Sequence, residues 1–160
     1  MVTGSTQKEN PMSSMRKGSS YVIKDIMQRE VITTSPSAPV SEAAYLMRNE
    51  DIGALVVIDS EEKPVGIVTD RDLVISVLAE KVNPDEVSVG DVMTKDPICV
   101  DEDTNIFDIM SMLSEYSIRR LPVTSGEKLI GIVSIDDLIV IVATELVNLS
   151  MALSSKSKIL

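Results

Sequence analysis

The 160-residue sequence contains no histidine, no tryptophan and a single cysteine, Cys99. Without histidine the usual zinc ligand sets and any Ser–His–Asp or Cys–His catalytic pair are excluded, and one cysteine allows no intrachain disulfide. A general base would have to be Asp, Glu or Lys. No paired-carboxylate or nucleophile–base spacing stands out, so the expectation is a protein that is not an enzyme and holds no metal. Aromatic residues make up 2% of the chain, which removes the stacking platforms that single-stranded nucleic acids need. Basic residues number 15 against 25 acidic ones, for a net charge of −10, and a surface of that sign repels a phosphate backbone, so no nucleic-acid partner is expected. Long apolar runs are missing as well. The longest, Leu138 to Ala143, gives way to Thr144 and Glu145, far short of the roughly 20 residues of a spanning helix, so no membrane partner is expected either. Residues 1–20 carry charges without an apolar block and read as a disordered leader, not a secretory signal. The scarcity of cysteine fits a reducing cytoplasm.

What the chain does have is a repetition. Gly66-Ile67-Val68-Thr69-Asp70-Arg71-Asp72-Leu73 returns as Gly131-Ile132-Val133-Ser134-Ile135-Asp136-Asp137-Leu138. Upstream, Asp25 matches Asp91, Met27 matches Met93, Ile32 matches Ile98, Leu55 matches Leu121 and Val57 matches Val123. The offset shortens by one residue between Asp59 and Lys63, a polar stretch where a hairpin loop absorbs it. Two copies are too few for an open solenoid, and a copy of about 60 residues is marginal alone. The copies are therefore expected to pack on each other about a pseudo-twofold axis.

Periodicity changes in the same order within each copy. Val31 to Thr34 reads as a strand, Val40 to Met47 as a helix, Ala54 to Asp59 and Val65 to Thr69 as a hairpin, and Leu73 to Leu78 as a second helix. The second copy repeats this with strand 98–100, helix 105–115, strands 121–124 and 129–134, and a last helix over about 135–149. The fold class is mixed α/β, β-α-β-β-α twice. The domain reading is leader 1–20, repeat 21–82, linker 83–87, repeat 88–149 and a frayed tail 150–160.

The Asp-[Ile/Val]-Met opening at 25–27 and 91–93, the strand Arg120-Leu121-Pro122-Val123 and the twofold Gly-Ile-Val-[Ser/Thr]-x-x-Asp-Leu junction together resemble a pair of cystathionine-β-synthase-type (CBS) domains, a Bateman module. The resemblance covers about residues 21–149 and implies a stand-alone, cytoplasmic tandem that senses adenine nucleotide (AMP, ADP or ATP) in the cleft between copies, needs no obligatory cofactor, forms a homodimer and signals to an effector protein. S-adenosylmethionine is the alternative ligand. A ligand-free protein-interaction module is the alternative function.

Thr69-x-x-Asp72 and Ser134-x-x-Asp137 each have the spacing of a helix capping box. They also have the makings of a nucleotide grip, since a helix start attracts phosphate and a carboxylate accepts the hydroxyls of a ribose. By resemblance Asp72 and Asp137 hold ribose while Thr69 and Ser134 hold phosphate. Arg119 and Arg120 read either as a solvated strand edge or as forked phosphate ligands, and the resemblance favours the second. It also maps an adenine lining onto Ile32, Thr33, Gly53, Ile98, Cys99 and Ile118, residue types that are otherwise ordinary core. Arg71 separates the acids in the first junction, whereas Asp136 adds a negative charge to the second. On charge alone the Thr69/Asp72 site is expected to be the tighter.

Overall fold

The computed structural model describes residues 22–156. The leader falls outside that range, as do residues 157–160 of the tail. The first copy runs β1 (Thr33–Thr34), α1 (Val40–Asn49), β2 (Ala54–Ile58), β3 (Pro64–Thr69) and α2 (Asp70–Leu73), the last continuing as one π-helical stretch, Val74–Leu78. A short helix α3 (Val89–Val92) and strand β4 (Thr94–Lys95) open the second copy, followed by β5 (Val100–Asp101), α4 (Ile106–Glu115), β6 (Arg120–Ser125), β7 (Lys128–Ser134) and α5 (Ile135–Lys156). Both β-α-β-β-α units are therefore present. In each, a parallel pair (β1 with β2, β5 with β6) precedes an antiparallel hairpin, with a bulge after Val57 and after Val123.

The sequence copies and the spatial lobes do not coincide. Ile23 and Met27, from the opening of the first copy, are buried in the core of the second, with Ile109, Leu121, Val133 and Leu138. Val89, from the opening of the second copy, is buried in the core of the first, with Val40, Leu55, Val57 and Val68. The exchange is reciprocal down to single hydrogen bonds. Ile23 N–H donates to the Thr104 carbonyl (3.1 Å) as Val89 N–H donates to that of Ala38 (2.8 Å). Thr94 pairs with Ile67 in β3, and its counterpart Gln28 exchanges both backbone bonds with Ile132 in β7.

The two junction glycines make the exchange possible. A side chain at Gly66 would run into the thioether of Met93, and one at Gly131 into that of Met27. Each Asp-x-Met opening thus seats its methionine on the bare backbone of the other copy's hairpin. At the opposite rim the hairpin tips clasp: Lys63 pairs with Glu127, Lys128 with Glu62 (3.0 Å), and Leu129 N–H donates to the Glu62 carbonyl (3.0 Å). Pseudo-twofold symmetry generates both ion pairs, and both lie in solvent.

The last helix departs from expectation. α5 continues to Lys156, beyond the predicted end near 149, because Ser150 and Ser154 keep helical geometry although they interrupt the apolar pattern. Over Ile135–Ser154 it has a mean hydropathy of 1.6, long and apolar enough by length and composition to cross a membrane. Counting only uninterrupted runs concealed this. Its first turns are nevertheless built into the second lobe, where Leu138 is 2% exposed.

Candidate functional site

Each Gly-Ile-Val-[Ser/Thr] strand ends where a helix begins, and the junction is closed by the same device. Thr69 Oγ donates to Asp72 Oδ2 (2.8 Å), the same oxygen accepts from Thr69 N–H (2.8 Å), and Asp72 N–H returns to Thr69 Oγ (3.2 Å). Ser134 and Asp137 repeat the pattern at 2.6, 3.0 and 3.2 Å. These are reciprocal capping boxes. The hydroxyl hydrogen is committed to the carboxylate in both, so neither Thr69 nor Ser134 has a proton to offer a phosphate while its box is closed. The carboxylates keep Oδ1. In Asp137 that oxygen faces Gln28, whose amide donates to it at 3.2 Å.

The helix starts differ in what remains open. At α2 all three leading amides are spoken for: Asp70 N–H donates to the Gly53 carbonyl (3.0 Å), Arg71 N–H to Asp70 Oδ1 (2.7 Å) and Asp72 N–H to Thr69. The Asp70 carboxylate lies so close to Gly53 that a Cβ there would sit 3.1 Å from Oδ2. The protein's own anion thus covers this helix start. At α5 the equivalent residue is Ile135, whose N–H donates to the Arg119 carbonyl (3.0 Å). With no side chain in the role of Asp70, the Asp136 N–H has no partner among the described residues.

A cavity of about 270 Å³ opens on the second junction. One wall comes from the second copy: Arg120, Ile132, Ser134, Asp136 and Asp137. Arg120 is placed there by register, because it pairs with Ser134 across the β6–β7 ladder. The facing wall comes from the first copy: Ile32 and Val31 before β1, Ile52, the inner face of β2 with Ile67 of β3, and Gln28 and Glu30 from the exchanged opening. Apolar side chains form most of the lining, and its charges are one cation, Arg120, against the acids Glu30, Asp136 and Asp137.

Of the residues singled out in the sequence, Ile32, Arg120, Ser134 and Asp137 meet in this cavity, and Thr69, Arg71, Asp72, Gly53 and Arg119 do not line it. Arg119 is exposed and contributes its carbonyl to the start of α5. Thr33 faces a separate open groove beside Ser35 and Pro36. Ile98 and Ile118 pack against the core of the second copy. Cys99 Sγ–H donates to the Pro97 carbonyl at 3.4 Å, and half-burial pushes its thiol pKa up, which keeps it protonated at neutral pH. Gln28, Glu30, Ile52, Ala54 and Ile132 were not anticipated. Gln28 and Glu30 lie just beyond Met27 in the chain, with Arg29 between them, so their place in the wall could have been found only by knowing which glycine that methionine covers.

The sequence model of the CBS domain matches the chain twice, over residues 23–79 and 89–144. A protein of Methanopyrus kandleri is 40% identical over 121 residues, 75% of this chain and 62% of that one, so the chain spans a little under two thirds of that relative's length. The inosine-5'-monophosphate dehydrogenase of Methanocaldococcus jannaschii is 34% identical over 134 residues, 83% of this chain but 25% of the enzyme. Among solved structures, CBSX2 in complex with AMP has a TM-score of 0.69 and 29% identity, covering 78% of this chain and 97% of that one. With the twofold match, the paired β-α-β-β-α units and the cleft between them in agreement, the chain belongs to the CBS-domain family and carries the domain as a tandem pair.

Proposed function

We propose that the cavity beside Ser134 and Asp137 binds one adenosine ligand bearing at most one phosphate, AMP first among them, and that its occupancy regulates an effector protein without any reaction being catalysed. The observation that carries the reading is the convergence of an acid with an available oxygen, Asp137, an arginine, Arg120, and an open helix-start amide, Asp136 N–H, on one largely apolar cavity. AMP in the CBSX2 structure supports the ligand class. Asp137 Oδ1 exchanges its Gln28 partner for ribose hydroxyls. Arg120 and the Asp136 N–H take the phosphate, helped by the dipole of α5. Ile32, Ile52 and Ile132 surround the base.

Charge sets the limit on phosphates. Three acids against one arginine make every added phosphate less favourable, so ADP and ATP bind more weakly than AMP. The ranking drawn from charge at the junctions alone is reversed here: Arg71 is outside the cavity and Asp70 already fills the first helix start. A ligand touching both copies favours the arrangement in which they are closest, and that difference is what an effector reads.

The acidic wall also suits S-adenosylmethionine, which has the same ribose but a sulfonium in place of phosphate. Arg120→Ala separates the two, weakening AMP about tenfold or more (about 1.4 kcal/mol) and leaving the sulfonium ligand unaffected. Thermal melts with each ligand at about 100 times its dissociation constant test the proposal. A bound ligand adds roughly 2.7 kcal/mol to stability, and no shift with any adenosine compound contradicts it.

A further inference from the structure

Gln28 holds the acceptor of the cavity that a ribose would need. Asp137 Oδ2 is taken up by the Ser134 hydroxyl (2.6 Å) and N–H (3.0 Å), and Oδ1 accepts the Gln28 side-chain amide at 3.2 Å. An ionised carboxylate only accepts hydrogen bonds. The amide N–H and a ribose O–H are both donors, so either satisfies Oδ1 and the two compete for it.

The fold holds the amide at this place. Gln28 exchanges both backbone bonds with Ile132 of β7, each at 2.9 Å, and Met27 before it is seated over Gly131. The backbone of Gln28 is therefore fixed and only its exposed side chain can swing. Its pseudo-twofold counterpart, Thr94, lies against Gly66 in the same way. Thr94 has a shorter side chain and no amide, and among the described residues Asp72 takes its side-chain bonds on Oδ2 alone, from Thr69. The amide is thus present at the junction that opens on the cavity and missing at the one that Asp70 covers. Glu30, which the same opening adds to this wall, is an acid and offers Oδ1 no donor.

We propose that Gln28 is a tethered stand-in for the ribose diol that sets both the affinity of the cavity and its tolerance of ligands without hydroxyls, a role that rests on the adenosine reading above. A ribose must displace the amide before it can use Oδ1. Its apparent dissociation constant is then the intrinsic one divided by the fraction of molecules whose amide has swung away. For one exposed hydrogen bond that handicap is about three- to tenfold. A ligand lacking both hydroxyls leaves the amide where it is, and Oδ1 stays paired. With no amide, the same ligand would cover a carboxylate oxygen that has no donor, and sites with a polar group left unpaired in this way reject such analogues strongly. Gln28 therefore weakens the ribose ligand and narrows the discrimination between ribose and deoxyribose.

Isothermal titration of AMP and of 2',3'-dideoxy-AMP into wild type, Gln28→Met and Thr94→Ala, each checked for a cooperative melt, tests the role. Methionine keeps the length and bulk of glutamine and removes the donor. Gln28→Met is expected to bind AMP about threefold or more tighter than wild type and the dideoxy ligand no tighter, so that the ratio between the two ligands widens by about threefold or more. Gln28→Ala, which removes the donor together with the side chain, shifts the ratio in the same direction, and Thr94→Ala leaves both constants unchanged. An AMP affinity in Gln28→Met equal to or weaker than that of wild type overturns the role. So does an equal gain for both ligands, which would trace to a more apolar wall and not to a lost competitor. If neither wild type nor Gln28→Met binds AMP, the adenosine reading itself falls and takes the role with it.

Discussion

At the residue scale the two junction glycines and the two opening methionines are one device. Nothing larger than hydrogen fits at Gly66 or Gly131 because a thioether from the other copy occupies the space. Gly131→Ala forces Met27 and the Gln28 backbone outward, and overpacking of this kind costs about 1–3 kcal/mol. Urea denaturation measures it, and a loss below about 0.5 kcal/mol would mean that Met27 is not seated as described. Repetition in the sequence made Gly66, Gly131, Met27 and Met93 conspicuous, but it could not say which methionine meets which glycine, since an offset relates equivalent positions and not contacting ones. The same limit hid Gln28 and Glu30. Ser134, Asp137 and Arg120 stood out by chemistry local to a junction or a strand start, whereas Ile32 came only from the resemblance. Thr69 and Asp72 were just as legible, and what set their junction apart was a side chain one residue on, Asp70, folding back over the helix start.

At the element scale, three capping boxes among the described residues fix where helices begin: Thr69/Asp72, Ser134/Asp137 and Ser88/Asp91. The third escaped the sequence reading although Ser88-x-x-Asp91 has the right form, because its counterpart Val22-x-x-Asp25 lacks the hydroxyl and the helix it opens is a single turn. Hydrogen bonds from the Ser88 hydroxyl and N–H hold the Asp91 carboxyl below its ordinary 3.8. A depressed carboxyl stabilises the fold fully above 3.8, and that contribution is lost as pH falls from there through the lowered folded value. Ser88→Ala is expected to flatten the stability profile below pH 4 and to leave the profile between pH 6 and 8 parallel to wild type. An unchanged acid limb would detach Asp91 from the effect. At α2, Asp72→Ala removes a cap and costs about 1 kcal/mol without weakening the ligand.

At the scale of the whole molecule the exchanged openings make the two copies one folding unit. The first lobe lacks Val89 and Met93, and the second lacks Ile23 and Met27, if the chain is divided between them. Residues 22–156 are expected to unfold in a single calorimetric transition, and residues 22–82 alone to give no cooperative melt. Two resolved transitions in the full chain would contradict the exchange. The pairing of two β-α-β-β-α units was readable from the period changes alone. Which lobe owned each opening was not, because two anchors per opening, Ile23 with Met27 and Val89 with Met93, are too few to carry a periodicity.

The proposed cleft holds one ligand, on the Ser134/Asp137 side. Isothermal titration of AMP into wild type, Asp72→Ala and Asp137→Ala, each checked for a cooperative melt, tests it most directly. The prediction is one site per chain in wild type, kept in Asp72→Ala and lost in Asp137→Ala. Binding that survives Asp137→Ala and disappears in Asp72→Ala would contradict it.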